Sequence, residues 1–481
     1  MIANHDKNVR TIFIAIAFGT SVRDVLRNDT YKKLKDNENL EIVVLAQNVS
    51  DPQFINEFSG ESIHFEPLQK VQPTVIERAL LQFHRATLRH KCKTIDLGNT
   101  SGDKRVLNLL TPFARFALFL LGEKRLTKTI KWIYEKFTPS NYYEDVFEKY
   151  LPELVVVTRV LNYSLDYPVL RAAAFKGIPI VSLVSSWDNL TSKGFFPFSI
   201  KKLVVWNEII RDEAIDLFNF PNEKILISGI PRYDIFFQRK DFREKSAFFN
   251  FKGLDVNKKL ITYCTGSMTT GRSKMDQTSP EPEICTYIAQ SIDDNQFSDE
   301  VQFLVRLHPQ ADASEYEELK NRDNIVLHIP GRQSSFQDRF FSFQDDIEFG
   351  ETMLYSDVVI NLASTVTIDA AVFDTPIVAV NFDFRGIRPY EYSIKRFYDF
   401  DHYKKLCDIG GFKLSDSKEE MIIDVNKYLE DPTLDQKGRK KIVKRQCHFN
   451  DGKSGERVAD FILDEFGKSK FLNEKRLINI Q

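Results

Sequence analysis

Cysteine is scarce in this chain of 481 residues. Cys92, Cys264, Cys285, Cys407 and Cys447 are odd in number, and no two are close enough for a Cys-x-x-Cys pair. A disulfide framework or a zinc site is therefore not expected, and a reducing, cytoplasmic setting is. An excess of one charge is also missing. Sixty-six Lys and Arg face 68 Asp and Glu, for a net charge of −2. That excludes nucleic acid as an expected partner of the chain as a whole. Neither an internal repeat nor a low-complexity tract is present. The first apolar run, Ile12 to Phe18, is too short to cross a membrane and lacks a signal-cleavage pattern, so it reads as a buried strand. No Asp-x-Asp stands at a strand end. Asp345 and Asp346 are adjacent and are expected to cap the helix that follows, so no metal site is expected.

What is present is an alternation of strands and helices long enough for two cores. Apolar runs at Thr11–Phe18, Glu41–Ala46, Leu154–Thr158, Ile178–Val184, Lys202–Trp206 and Lys224–Ile227 predict parallel strands covered on both faces. A helix is expected from Val22 to about Lys35. A second set follows at Lys259–Cys264, Val301–Leu307, Ile325–His328, Val358–Asn361 and Ile377–Val380. A charged helix, Gln238–Lys245, precedes that set. After about 415 the pattern is helical to Phe466 and ends in a polar tail. These units predict an α/β protein with doubly wound sheets. The expected domains are 1–235, with a helical insertion at about 73–150, then 236–450, then a C-terminal helix and tail at 451–481.

Within the insertion, Thr111–Phe137 mixes Phe113, Phe116, Leu120, Leu121 and Trp132 with a surplus of Lys and Arg. That mixture suits a helix lying on an anionic membrane surface. It equally suits an amphipathic helix packed on the core with a solvated basic face. Membrane docking would make the protein peripheral, on the inner face of the plasma membrane.

Four segments carry residues suited to chemistry. Val358–Asp383 reads as strand, small-residue turn, helix and strand. The helix N-terminus there, with Ser364, Thr365 and Thr367, suits a donor phosphate; simple helix capping is the other reading. In Val305–Pro309, Pro309 leaves His308 at a strand end beside Arg306, where an imidazole can donate to a pyrophosphate oxygen. In Ser185–Gly194, Asp188 is a carboxylate placed to take a proton from an acceptor hydroxyl, with Trp187, Asn189 and Lys193 around the acceptor. A turn closed on its own backbone is the other reading. In Gly229–Asp234, Arg232 can reach a donor phosphate with its planar fork, or pair with Asp234 and fix the linker. The loop Gly266–Arg272 offers Ser267, Thr269 and Arg272 to the same donor.

Taken in order, these motifs resemble the GT-B superfamily that includes the CDP-glycerol glycerophosphotransferases and related bacterial surface-polysaccharide glycosyltransferases. Gly229, Pro231, Arg232 and Asp234 match that group's Gly-x-Pro-Arg-x-Asp. Arg306, His308 and Pro309 match its Arg-x-His-Pro, and Ser364-Thr365 is similar to its Ser-Ser turn. Ser186–Gly194 is similar to its Trp-His-Gly-Thr-Pro-x-Lys loop, with Asp188 where the family's proposed base, a His, stands. Asp451–Val458 resembles the Asp-Gly-x-x-x-x-Arg endings of surface-polysaccharide glycosyltransferases. The resemblance covers roughly residues 150–390. It implies a GT-B fold: two Rossmann-like lobes facing a cleft, with a C-terminal crossing helix. The altered Asp188 loop turns the expected reaction from glycerol phosphate towards sugar. The expectation is thus an inverting, metal-independent glycosyltransferase in bacterial surface polysaccharide synthesis. Asp188 and His308 would be its catalytic residues, a nucleotide sugar its co-substrate without further cofactor, and a glycan or lipid-linked glycan its acceptor. The alternatives are transfer of a polyol phosphate from a CDP-activated donor, nucleotide-sugar epimerisation, and a non-catalytic binding protein of the same fold.

Overall fold

The computed structural model describes residues 9–17, 19–97, 101–159, 164–193, 200–266, 278–320, 322–333 and 339–478. The chain divides into two compact units: residues 1–234 with 447–481, and residues 235–446. The segment after Cys447 thus returns to the first unit.

Among the described residues, the first unit is built on seven parallel strands. They are β1 (Arg10–Ile16), β2 (Leu40–Ala46), β3 (Ile63–Pro67), β4 (Leu154–Val157), β5 (Ile180–Leu183), β6 (Lys202–Val205) and β7 (Ile225–Ile227), in the order β3-β2-β1-β4-β5-β6-β7. Their central members read as unbroken apolar runs because helices cover both faces: Ile12, Phe13, Ile14, Val155, Val156 and Leu203 are fully buried. The second unit repeats the scheme with β8 (Lys259–Cys264), β9 (Val301–Arg306), β10 (Ile325–His328), β13 (Val358–Asn361), β14 (Ile377–Val380) and β15 (Lys413–Ser415), ordered β10-β9-β8-β13-β14-β15. A small hairpin, β11 (Arg332–Gln333) with β12 (Arg339–Phe340), stands apart. Both sheets reverse direction beside their first strand, between β1 and β4 and between β8 and β13. In open α/β sheets, ligands bind at the carboxyl ends of the strands flanking such a reversal.

Five elements differ from the sequence expectation. The helix expected over Val22–Lys35 is two, Gly19–Val25 and Asp29–Lys35. Asn28 is extended between them and accepts from Thr30 N at 2.9 Å, so its capping breaks the run. The charged helix expected at Gln238–Lys245 is instead a loop over residues 239–244, joining the helices Asp234–Gln238 and Lys245–Lys252, with Arg239 left-handed at φ 53 after the first. The tail after Phe466 continues as helix within Ser454–Ile478. Strands β3 and β15 were not anticipated, because their half-buried edge positions carry residues such as His64, Glu66 and Lys413. The insertion holds helices Val75–Leu88, Thr94–Leu97, Ser101–Phe137 and Glu144–Tyr150.

The C-terminal helix is bolted into the first unit. Asp234 accepts from Ser454 N at 2.9 Å and from Gly455 N at 2.7 Å. Thr30 Oγ1 donates to Gly455 O, and Arg10 Nη2 donates to Phe466 O. Two glycines permit the approach. A Cβ on Gly229, at φ +84, would lie 2.5 Å from Ser454 Oγ, and one on Gly455 would lie 2.8 Å from Asn28 Oδ1.

Candidate functional site

In the second unit, the reversal point brings the end of β8 beside the end of β13. After Asn361 the backbone turns through Leu362 and Ala363, the latter at φ 41, into the short helix Val366–Val372. Asn361 Oδ1 accepts from Ser364 N at 3.3 Å and from Thr367 Oγ1 at 3.2 Å. Those two bonds fix the amide's orientation and leave its buried Nδ2 without a protein acceptor. Ser364 and Thr365 are half-buried at the turn. The Ser364 hydroxyl accepts from Val366 N at 3.3 Å, so it caps the helix. Thr367 is fully buried, its hydroxyl 2.8 Å from Tyr403 OH, so it holds the turn from behind and does not reach the surface. Tyr398 OH accepts from Ala363 N at 3.2 Å and donates to Val380 O, tying the turn to β14.

His308 stands just past the end of β9. Its main-chain N–H donates to Thr265 Oγ1 at 2.8 Å. Its Nδ1 accepts from Gln310 N at 3.1 Å, which assigns the neutral ring's proton to Nε2. Arg306 behaves differently from the sequence expectation. It is 7% exposed, bonds His328 Nδ1 at 2.8 Å and stacks over Phe349. His328 is pushed down to about 4 by burial and by the Arg306 and Lys252 charges, so it accepts as a neutral ring. Burial pushes Glu348 up, but His328 and Lys252 outweigh it and hold the carboxylate down to about 2. Arg306 thus belongs to a charge network inside the unit.

Ser267, Thr269 and Arg272 lie outside the described residues, but both ends of their loop are anchored. Glu281, 1% exposed, accepts from Gly266 N at 2.8 and 3.0 Å and from Tyr263 OH at 3.2 Å. Arg385 bonds Thr278 O and Oγ1 and Ser279 O. Burial lifts the Glu281 carboxyl to about 7, against the hydrogen bonds from Gly266, Tyr263 and Ser279. In the native state Glu281 therefore keeps its proton over a range where the unfolded chain, near 4.5, has lost it. Stability falls as pH rises through that window and levels off above it. The shift corresponds to about 3 kcal/mol. Glu281→Gln should shrink the difference in unfolding free energy between about pH 5 and about pH 8 by that order. Denaturant titrations of parent and variant at both pH values test this, and parallel profiles would refute it.

In the first unit, the carboxyl ends of β1, β4 and β5 gather a second polar cluster. Asp188 is half-buried and accepts from Ser186 Oγ, and from Ser192 Oγ at 3.0 Å. Its main-chain oxygen begins the helix Asn189–Lys193, which Lys193 ends. Trp187 and Asn189 are buried, and Asn189 Oδ1 accepts from Ser186 N at 3.2 Å. Arg159, just past β4, sits among the charges of Asp166, Asp188 and Asp24. Its pKa is lowered by burial and raised again by those three carboxylates. Asp166 accepts from Thr158 N at 2.9 Å and Arg159 N at 3.0 Å, and burial lifts it to about 6. Arg232 bonds Asp24 at 2.9 Å and Ser185 O at 3.0 Å and lies over Trp206. The Asp234 partner that the sequence offered it is instead engaged by Ser454 and Gly455. Asp24, Trp206, Ser228 and Pro231 line a small recess.

Sequence reasoning missed Arg159, Asp24, Asn361 and Glu281. Arg159 and Asn361 carried a usable signal, since each stands at the carboxyl end of a strand flanking a sheet reversal. Asp24 and Glu281 lie on helices, and nothing in the local pattern marks them.

A family model for CDP-glycerol:poly(glycerophosphate) glycerophosphotransferase matches residues 184–464. The teichoic acid poly(ribitol-phosphate) polymerase of Bacillus spizizenii is 25% identical over 269 residues, 54% of this chain. The chain spans only 37% of that curated relative's length. Among solved structures, the UDP-GlcNAc 2-epimerase of Neisseria meningitidis aligns with 95% of this chain and 99% of its own, at TM-score 0.53 and 12% identity. The wall teichoic acid polymerase TagF aligns with 97% of this chain and 91% of its own, at TM-score 0.51 and 11% identity. These structural likenesses bear on the fold alone, which is of the GT-B type. The family match runs from the end of β5 through the Ser364 turn into the C-terminal helix, more than half of the sequence, and the chain belongs to the CDP-glycerol:poly(glycerophosphate) glycerophosphotransferase family.

Proposed function

We propose that this protein transfers a polyol phosphate from a CDP-activated polyol to a hydroxyl of a cell-envelope polymer. The observation carrying this reading is the family match over residues 184–464, which takes in both the Asp188 loop and the Ser364 turn. The name of the Bacillus relative, a poly(ribitol-phosphate) polymerase, supports the same class of donor. The expectation of sugar transfer rested on Asp188-Asn189-Leu190-Thr191 standing where the family has His-Gly-Thr-Pro. That change replaces one base with another, and it does not by itself require a different donor.

In the proposed reaction the acceptor oxygen attacks the phosphorus that carries the polyol. A new P–O bond forms, the anhydride bond breaks, and CMP leaves with the bonding pair. Asp188 takes the hydroxyl proton. The hydroxyls of Ser364 and Thr365, His308 Nε2 and Asn361 Nδ2 are assigned to the diphosphate. Ser267, Thr269 and Arg272 are assigned to the same donor. Such chemistry is mostly positioning and electrostatic stabilisation.

Incubation with CDP-glycerol, CDP-ribitol and a panel of nucleotide sugars, with a polyol-phosphate acceptor, tests the reading. CMP release coupled to acceptor growth from a CDP-polyol is the expected result. Transfer from a nucleotide sugar alone, isomerisation of a nucleotide sugar, or thermal stabilisation without turnover would each overturn it.

A further inference from the structure

The helix Gln436–Ile442 and the wider turn Val443–Cys447 that continues it present two unlike faces. Arg439, Ile442 and Gln446 are buried and seat the segment on the second unit. Arg439 Nε donates to Asp374 Oδ1 at 2.8 Å, Nη1 to Leu434 O at 2.6 Å and Nη2 to Pro432 O at 2.7 Å. The other face carries Lys437, Lys440, Lys441, Lys444 and Arg445, all exposed. Their spacing is that of a single stripe along a helix.

The stripe has no counter-charge of its own. No acidic residue occurs between Asp435 and Asp451. Asp435 is itself engaged by Lys413 at 3.1 Å and by Tyr428 OH at 2.8 Å. Among the described residues, none of the five cations pairs with a carboxylate; Lys440 donates to the neutral Gln436 Oε1 at 3.0 Å. Other surface lysines of this unit are paired, as Lys404 is with Asp408 at 2.8 Å and Lys427 with Asp424 at 2.9 Å. Like charges three and four residues apart weaken a helix. The helix dipole favours cations in the last turn, which accounts for Lys440 and Lys441 but not for Lys437 in the first. A row of this kind is the electrostatic footprint of a polyanion.

The surroundings decide which polyanion. The two apolar residues inside the stripe, Ile442 and Val443, are buried and half-buried, so nothing is offered to acyl chains. No aromatic residue lies between Lys437 and Arg445 on which bases could stack. A flexible chain of phosphodiesters needs neither, only cations that follow its charges. The stripe is also separate from the donor turn. The helix Val366–Val372 starts beside Ser364, and Asp374, past its other end, is the residue that holds Gln436 and Arg439.

We propose that Lys437, Lys440, Lys441, Lys444 and Arg445 form a track on the second unit that holds the phosphodiester chain of the acceptor polymer away from its reacting end. The nature of that chain rests on the polyol-phosphate reading above, but binding to the track needs no turnover. A tethered chain presents its end at a raised effective concentration, so a long acceptor is used at lower concentration than a short one.

Fluorescence anisotropy with labelled poly(glycerol phosphate), in the absence of donor, tests the track on the full chain. Lys437→Gln/Lys440→Gln/Lys441→Gln/Lys444→Gln/Arg445→Gln removes the charge, and Lys437→Arg/Lys440→Arg/Lys441→Arg/Lys444→Arg keeps it. Circular dichroism and the thermal midpoint check that both fold. The parent and the arginine variant should bind the long chain, with affinity falling steeply as salt rises. The glutamine variant should bind at least about tenfold more weakly, and its slope of log K against log salt should shrink by roughly 3. In acceptor-growth assays its KM for the long chain should rise about tenfold, with kcat and the KM values for the CDP-polyol and for a two-unit acceptor unchanged. A glutamine variant with the parent's affinity and the parent's KM for the long chain would overturn the track and leave the reaction in place. A parent that binds anionic vesicles or DNA through this stripe but not the polymer would overturn it too. Absence of CMP release from every CDP-polyol would instead overturn the reading of the reaction, and the anisotropy would still decide whether the stripe holds a phosphodiester chain.

Discussion

Asp188→Ala is expected to lower turnover with a CDP-polyol donor by about 10²–10⁴-fold, the range that a positioned general base contributes. The carboxylate has a geometry suited to the task. It is half-buried at the end of β5, and Ser186 and Ser192 fix its direction by donating to its two oxygens. Asp188→Asn separates chemistry from shape. The amide retains the volume and can still accept one of the two hydroxyl bonds, but it cannot take up the proton. Both variants should therefore lose kcat while keeping KM within a few-fold, as expected when an interaction specific to the transition state is removed. The readout is CMP release in the presence of acceptor. Undiminished turnover in Asp188→Ala would remove Asp188 as the base. A fall in the alanine variant alone, with full activity in Asp188→Asn, would reduce its role to holding the Ser186–Ser192 turn.

The sequence made the strands at the centre of both sheets readable because parallel strands covered on two faces must be apolar throughout, as Ile12–Ile16 and Val358–Ile360 are. Edge strands obey no such rule, and β3 pairs on only one side, so His64 and Glu66 could enter it. The residue types of the site were readable too, but their directions were not. Arg306 and Thr367 have the chemistry of phosphate ligands. The fold turns one towards His328 and the other towards Asn361 and Tyr403. A strand pattern fixes which face a residue takes, not what waits there from a distant part of the chain. Arg159 and Asp24 illustrate this from the other side. Their partners, Asp188 and Arg232, are tens or hundreds of residues away, and only the sheet order brings them together. Gly229–Asp234 was read as a route from Arg232 to the donor. In the structure Arg232 and Asp234 are both engaged inside the first unit, one with Asp24 and one with the C-terminal helix.

Asp234→Ala should accordingly act on stability before it acts on chemistry. The carboxylate receives the first backbone N–H groups of the helix Ser454–Ile478, where no intrahelical acceptor exists. Burial lifts it to about 6, opposed by the bonds from Gly455 and Ser454, so at neutral pH it remains the anion that accepts both. The charge of Asp29, at the start of the helix Asp29–Lys35, adds to the upward push on the Asp234 carboxyl. Removing it strands two buried donors, at about 1–3 kcal/mol each. The summed loss, roughly 2–6 kcal/mol, is large beside the net stability of a typical domain. The C-terminal helix should then detach before the rest unfolds. Limited proteolysis should cut near Gly452–Gly455 in the variant and not in the parent, and the thermal midpoint should fall. Asp234→Asn, which can still accept one of the two N–H groups, should lie between. If Asp234→Ala kept the parent's midpoint and protease resistance while losing turnover, the motif would belong to the reaction rather than to the joint between Gly229–Asp234 and Ser454–Gly455.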